Sequence, residues 1–216
     1  SGAFRREGVD RISDVVAEVL SYKNEGFRAI KLKIGFNADE DLELIRQVRD
    51  AVGPGMRVMI DANHGYDTTG AVAVGRAASS YNIDWFEEPV LPELLDSYHD
   101  VRSRQPIPVA GGETWHARWA MKAAVEARAV DIIQPDVCGV GGFSKFKRVV
   151  DHAQMNGVRA ADPSTPLGCL FTVDDMIPEA SNLGKPIFLD RAITTLFIKD
   201  GATVPSSKAP VGNLAW

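Results

Sequence analysis

Ionisable residues recur in this chain at one position of a repeating pattern. Lys33, Asp61, Glu87, Glu113, Asp136 and Asp162 lie roughly 23 to 28 residues apart, each at the end of a short apolar run that reads as a strand. An interval of that length holds one strand-to-strand crossover through a helix, the connection that parallel strands need. Equivalent ends of such strands converge, in a closed barrel, on a single mouth where active sites are built.

The segments between those positions carry the matching periods. Asp10 to Asn24 places Ile12, Val15, Val16, Val19 and Leu20 on one helical face, with Gly26 as the stop. Ala29 to Ile34 alternates with period two and predicts a strand. The pairing repeats as helix 39–52 with strand 57–60, helix 69–80 with strand 84–86, helix 92–104 with strand 108–110, and helix 117–127 with strand 131–133. It ends with helix 143–156, strand 158–161, a helix near 167–177 and a strand at 187–189. About seven such units favour an α/β fold of the TIM type, a (β/α)7β barrel, over an open doubly wound sheet. No glycine fingerprint for a dinucleotide follows the first strand, and the late cluster of Gly139, Gly141 and Gly142 is weak evidence for an anion site.

Composition bounds the setting. The 216 residues are 45% hydrophobic, enough for one large core. A net charge of -5 offers no attraction to nucleic acid or an anionic membrane. No apolar run approaches a membrane span. Cys138 and Cys169 are too few for a disulfide framework and lack zinc-ligand spacing, so a cytoplasmic setting is expected. Both ends read as cut, Ser1-Gly2-Ala3-Phe4 like the tail of a strand: residues 1–216 are expected to form a single barrel domain of a longer protein.

Three carboxylates brought to one mouth, Asp61, Glu87 and Glu113, repel one another unless a cation neutralises them, and an all-oxygen set suits Mg²⁺. Each alone could be a helix cap or a turn residue; their common spacing is what points to a metal. Lys31 and Lys33 alternate with Ile30, Leu32 and Ile34. With the apolar set facing the helices, both lysines point into the barrel. Two adjacent ammonium groups lower each other's affinity for a proton, which is what a lysine needs to act as a base. A lysine base beside a divalent cation suits removal of a proton α to a carboxylate.

The stretches Ile30-Lys31-Leu32-Lys33, Asp61-Ala62-Asn63, Trp85-Phe86-Glu87-Glu88-Pro89, Gly111-Gly112-Glu113-Thr114 and Gln134-Pro135-Asp136 with Gly141-Gly142 resemble the mandelate racemase branch of the enolase superfamily. The likeness runs to about Gly142 and weakens beyond it. It implies Asp61, Glu87 and Glu113 as Mg²⁺ ligands, Lys33 as the base, Lys31 as its electrostatic partner and Asn63 as a substrate or metal-shell contact. His64 and His116 are expected near the mouth as substrate contacts. The substrate implied is a 2-hydroxy carboxylate, and the reaction an acid-sugar dehydration, in a homo-oligomer with no nucleic-acid or membrane partner.

Three departures from the family pattern stand out. Asp136 matches an aspartate that orients a histidine after the seventh strand, but Ala161-Asp162-Pro163 puts Asp162 in that histidine's place. Asp136 and Asp162 could then share a proton and act as an acid. Phe188 replaces a carboxylate on the last strand, and Gly139 stands where two-lysine epimerases carry a lysine. The family's N-terminal capping domain is not recognised in the sequence. Racemisation or epimerisation is therefore the weaker enzymatic option, and a barrel that binds metal without turnover is the non-enzymatic alternative.

Overall fold

The computed structural model describes residues 10–137 and 139–160, with the backbone of 198–199 and 202–203. The expected helix near 167–177, the strand at 187–189, and the residues Asp162, Phe188, Cys138 and Cys169 lie outside the described residues.

Helices and strands alternate as the periods require. Helix α1 (Arg11–Asn24) starts where the Asp10 carboxylate accepts from Ser13 N at 3.1 Å, and it buries Val15 and Val19. Helix α2 (Ala38–Val52) is capped by Asn37, which accepts from the amides of Asp39 and Glu40, and it buries Leu44, Ile45, Val48 and Val52. Helix α3 (Thr68–Ala78) is capped by Asp67. Helices α4 (Leu95–Arg104), α5 (Ala117–Glu126) and α6 (Phe143–Met155) follow. Helix α4 begins later than its expected start at residue 92. Residues 91–94 instead close a turn, with Leu94 N donating to Leu91 O at 3.1 Å, and the helix begins only after it.

Strands β1 (Ala29–Lys33), β2 (Arg57–Asp61), β3 (Ile83–Glu87), β4 (Val109–Gly111), β5 (Ile132–Ile133) and β6 (Arg159–Ala160) form one six-stranded sheet in chain order, every neighbouring pair parallel. This is the wall of a (β/α) barrel, each strand reached through a helix. The last described pieces, β7 (Ile198–Lys199) and β8 (Ala202–Thr203), pair antiparallel.

The sheet is apolar on both faces, as a barrel wall must be. One face packs on the helices: Ile30, Leu32, Val58, Ile60, Phe86, Val109 and Ile133 join Val15, Val19, Leu44, Val48 and Met121 in one cluster. A second cluster, Met59, Trp85, Ala110 and Ile132, fills the other face. Lys31 is the register partner of Met59, so both lysines of β1 lie on this second, inner face, as their alternation with Ile30 and Leu32 predicts.

Strand β3 contains an irregularity that places the site. Val58 aligns with Ile83, but two residues later Ile60 aligns with Phe86, so β3 carries one extra residue. Ile83 and Phe86 both face the helices, whereas Trp85 joins the inner cluster. The bulge brings Glu87 into register with Asp61.

Candidate active site at the carboxyl ends of the strands

Lys33, Asp61 and Glu87 are successive register partners on β1, β2 and β3. Their side chains form one chain of ion pairs with Lys31. Lys33 Nζ donates to Asp61 Oδ2 at 2.5 Å. Lys31 Nζ donates to Glu87 Oε1 at 2.5 Å and stands 3.1 Å from Asp61 Oδ2. The outer oxygens are also satisfied. Asp61 Oδ1 accepts from Asn63 N at 3.0 Å, and Glu87 Oε2 accepts from Trp85 Nε1 at 3.1 Å and Gln134 Nε2 at 3.2 Å.

Asp61 and Glu87 are 0% and 2% exposed. Buried carboxylates are tolerated only when paired and hydrogen-bonded. Burial alone would raise Asp61, but the ammonium groups of Lys31 and Lys33 outweigh it and hold its carboxyl below the usual range. Glu87 is raised, chiefly by burial. Lys31 offsets part of that, while Asp61 and Glu113 push the other way. The asymmetry follows from counting neighbours: Asp61 meets two ammonium groups and Glu87 one.

The remaining residues do not share one level. Glu87 aligns with Ala110, and β4 ends at Gly111, so Glu113 sits farther along, half-buried in the loop beyond Gly112. Gly112 is required there: its φ is +148°, and a Cβ would meet Gln134 O at 2.6 Å. Asp136 lies beyond the end of β5, where its Oδ1 accepts from Gly139 N at 2.7 Å. His116 is an exposed residue at the start of α5, and a Cβ on Gly139 would stand 3.3 Å from its Nδ1. His116, Asp136 and Gly139 thus form one corner of the mouth.

Sequence reasoning passed over Glu88. It is fully buried, with a left-handed φ of 43°, and its carboxyl gathers the next two loops. Thr114 Oγ1 donates to Oε1 at 2.6 Å, Asn63 Nδ2 donates to Oε2 at 3.2 Å, and His64 Nε2 lies 3.4 Å from Oε2. Burial, with Glu113 next, pushes this carboxyl up to about 8. Asn63 and His64 therefore both lean on Glu88. The signal available was a second carboxylate directly after Glu87, at the end of a strand buried on both faces.

As placed, no three carboxylate, histidine or cysteine side chains among the described residues stand close enough to hold a metal. Asp61 and Glu87 are taken up by ammonium groups instead. The donor set nevertheless fits a hard dication. Asp61, Glu87 and Glu113 offer only oxygen, two of them are buried, and Glu113 adds to the negative field at Glu87 and Glu88. Gln134 Oε1, beside Glu87, is a buried acceptor that lacks a partner among the described residues.

The geometry defines a parallel α/β barrel wall with a cluster of paired lysines and buried carboxylates at the carboxyl ends of its strands. Residues 14–173 match the sequence family described as Enolase C-terminal domain-like, and the chain belongs to that family. Its relatives lie in the mandelate racemase and muconate lactonizing branch, and the match extends past Gly142, where the motifs thin out. The D-galactarolactone cycloisomerase of Agrobacterium fabrum is 56% identical over 159 residues, 74% of this chain and 42% of that protein. The L-talarate/galactarate dehydratase of Salmonella typhimurium is 31% identical over 162 residues, 74% of this chain and 40% of that protein. Among solved structures, the 3,6-anhydro-D-galactonate cycloisomerase from Zobellia galactanivorans superposes with TM-score 0.68 at 40% identity, over 71% of this chain and 44% of that one. The chain spans less than half the length of each of these proteins. No described helix is long and apolar enough to cross a membrane.

Proposed function

We propose that this barrel removes the proton α to the carboxylate of an acid sugar, in a Mg²⁺-dependent dehydration. The observation that carries the reading is the Lys31–Lys33 pair set on the buried carboxylates Asp61 and Glu87. Asp61, Glu87 and Glu113 would hold the ion, which supplies positive charge to a substrate carboxylate. A talarate dehydratase solved with Mg and L-glucarate, 25% identical with TM-score 0.69, supports that choice of ion and substrate class.

Lys33, released from Asp61 and with its ammonium proton lost to solvent, takes the α-proton as the neutral amine, and Lys31 stays as the neighbouring cation. Asn63, His64 and His116 contact the substrate. A β-hydroxyl then leaves as water with a proton from Asp136, with Asp162, outside the described residues, as its proposed partner. The enzyme is read as a cytoplasmic homo-oligomer whose partner is a small carboxylate, with residues 1–216 as one barrel domain.

Proton–deuterium exchange at the α-carbon, followed by NMR in heavy water with saturating Mg²⁺, tests the reading. Exchange with at least one acid sugar is expected; none across a broad panel would defeat it. The 56% identity to a galactarolactone cycloisomerase favours a second outcome from the same first step. There the β-oxygen that leaves belongs to a ring, so the product keeps the substrate's mass, whereas dehydration loses one water. Mass spectrometry of the product separates the two.

A further inference from the structure

Behind Lys33, on the helix side of β1, lies a second buried charged cluster that takes no part in the site described above. Arg11, on α1, is 5% exposed and Asp41, on α2, is fully buried. Arg11 Nη1 donates to Asp41 Oδ1 at 2.8 Å and to Glu40 Oε1 at 3.3 Å, while Nη2 donates to the backbone carbonyl of Lys33 at 2.8 Å. The guanidinium also lies 4.4 Å from the centre of the Phe36 ring. The other Asp41 oxygen, Oδ2, accepts from Gly35 N at 2.9 Å, Phe36 N at 3.0 Å, Asn37 N at 3.1 Å and Tyr66 OH at 2.7 Å. Tyr66 comes from the loop that follows Asp61, and its ring meets Phe86 edge-on at 6.2 Å.

The cluster therefore grips both strand ends that carry the Lys33–Asp61 pair. It holds the last carbonyl of β1 through Arg11, the loop after β1 through three amides, and the loop after β2 through Tyr66. The two loops also touch directly: Gly35 has a φ of +92°, and a Cβ there would stand 2.4 Å from Ala62 O. A buried ion pair is a poor way to gain stability alone, since an apolar replacement often does as well. Its directional bonds are what an apolar replacement cannot supply. A lysine reaches its partner on a flexible four-carbon stem, so its aim depends on where its backbone is held.

We infer that Arg11, Asp41 and Tyr66 are positioning residues that hold Lys33 against Asp61 by fixing the carbonyl of Lys33 and the two loops that flank the pair. The inference rests on Lys33 being the base for its consequence in catalysis, but not for its geometry.

Tyr66→Phe and Arg11→Lys in the 216-residue chain test it. Tyr66→Phe removes one oxygen and leaves the buried ion pair intact, so it reads the cluster even if Arg11→Lys does not fold. Each protein is labelled briefly with acetic anhydride in the presence of EDTA, and fragmentation mass spectrometry gives the modification of Lys33 relative to Lys31. The ratio is expected to rise about threefold or more in both variants. With Mg²⁺ and an exchanging substrate, the α-proton exchange rate at saturation is expected to fall about tenfold while KM stays put. The Tyr66→Phe melting temperature should drop by only about 3 °C. An unchanged labelling ratio in Tyr66→Phe would overturn the inference whatever the activity. A wild-type chain that exchanges no α-proton would defeat the proposed reaction, and the labelling ratio would still decide whether the cluster positions Lys33.

Discussion

Lys33 and Asp61 are partners twice over: they face each other in the β1–β2 register, and Lys33 Nζ lies 2.5 Å from Asp61 Oδ2. The same carboxylate proposed to hold a cation thus pairs with the lysine proposed as the base. A carboxylate oxygen committed to a metal would have less charge left for an ammonium group, so metal binding at Asp61 would free Lys33 and favour loss of its proton.

Lys33→Met should therefore abolish the base without dismantling the carboxylates. The α-proton exchange rate is expected to fall by about 10²- to 10⁴-fold, the usual worth of a general base. Mg²⁺ binding, read by titration calorimetry, should persist. Loss of Mg²⁺ binding together with exchange would show that Lys33 serves the carboxylates rather than the substrate.

Mg²⁺ should stabilise the fold, because a ligand bound only by the native state raises the melting temperature by mass action. Asp61→Asn is expected to remove that increment and to weaken binding at least about tenfold by calorimetry. EDTA should return the wild-type protein to its metal-free melting temperature. An equal Mg²⁺ increment in Asp61→Asn would place the ion elsewhere.

Glu88 gives a pH dependence of definite sign. In the fold its carboxyl holds a proton up to about 8, against an ordinary value of 4.5. Between those limits the unfolded chain binds fewer protons than the folded one, so Glu88's contribution to stability falls as pH rises from about 4.5 to about 8. Urea midpoints in EDTA for wild type and Glu88→Gln should differ progressively across that window, with the wild type losing ground as pH increases. Parallel curves would contradict the buried, protonated state.

Gly35→Ala is expected to destabilise the chain by about 2 kcal/mol or more, since a left-handed φ and a backbone clash act together. Its Cβ would meet Ala62 O at 2.4 Å. Gly139→Ala should be far milder, because its Cβ meets the end of the His116 side chain at 3.3 Å and that side chain can turn aside. Urea denaturation midpoints compare the two.

The helices and strands of residues 10–160 were legible because their signals are local. Val15 with Val19 and Leu44 with Val48 repeat at the helical period, and Lys31 with Lys33 alternates with Ile30 and Leu32. The start of α4 lies three residues beyond its expected position because residues 91–94 close a turn, which local pattern does not separate from a first helical turn. Glu88 was missed because a carboxylate buried among loops that meet only in the folded chain leaves the same trace in sequence as one in an exposed loop.

The even spacing of Lys33, Asp61, Glu87, Glu113 and Asp136 by itself determined that these residues gather at one end of a parallel sheet, since chain length per crossover sets that. It did not determine their depth. The extra residue in β3 brings Glu87 level with Asp61, while the short β4 leaves Glu113 in the loop above them. Those offsets depend on how β2 packs against β3 and β3 against β4, contacts between residues about 25 positions apart. Only the folded chain brings such residues together, and there the side chains that meet Asp61 first are two lysines.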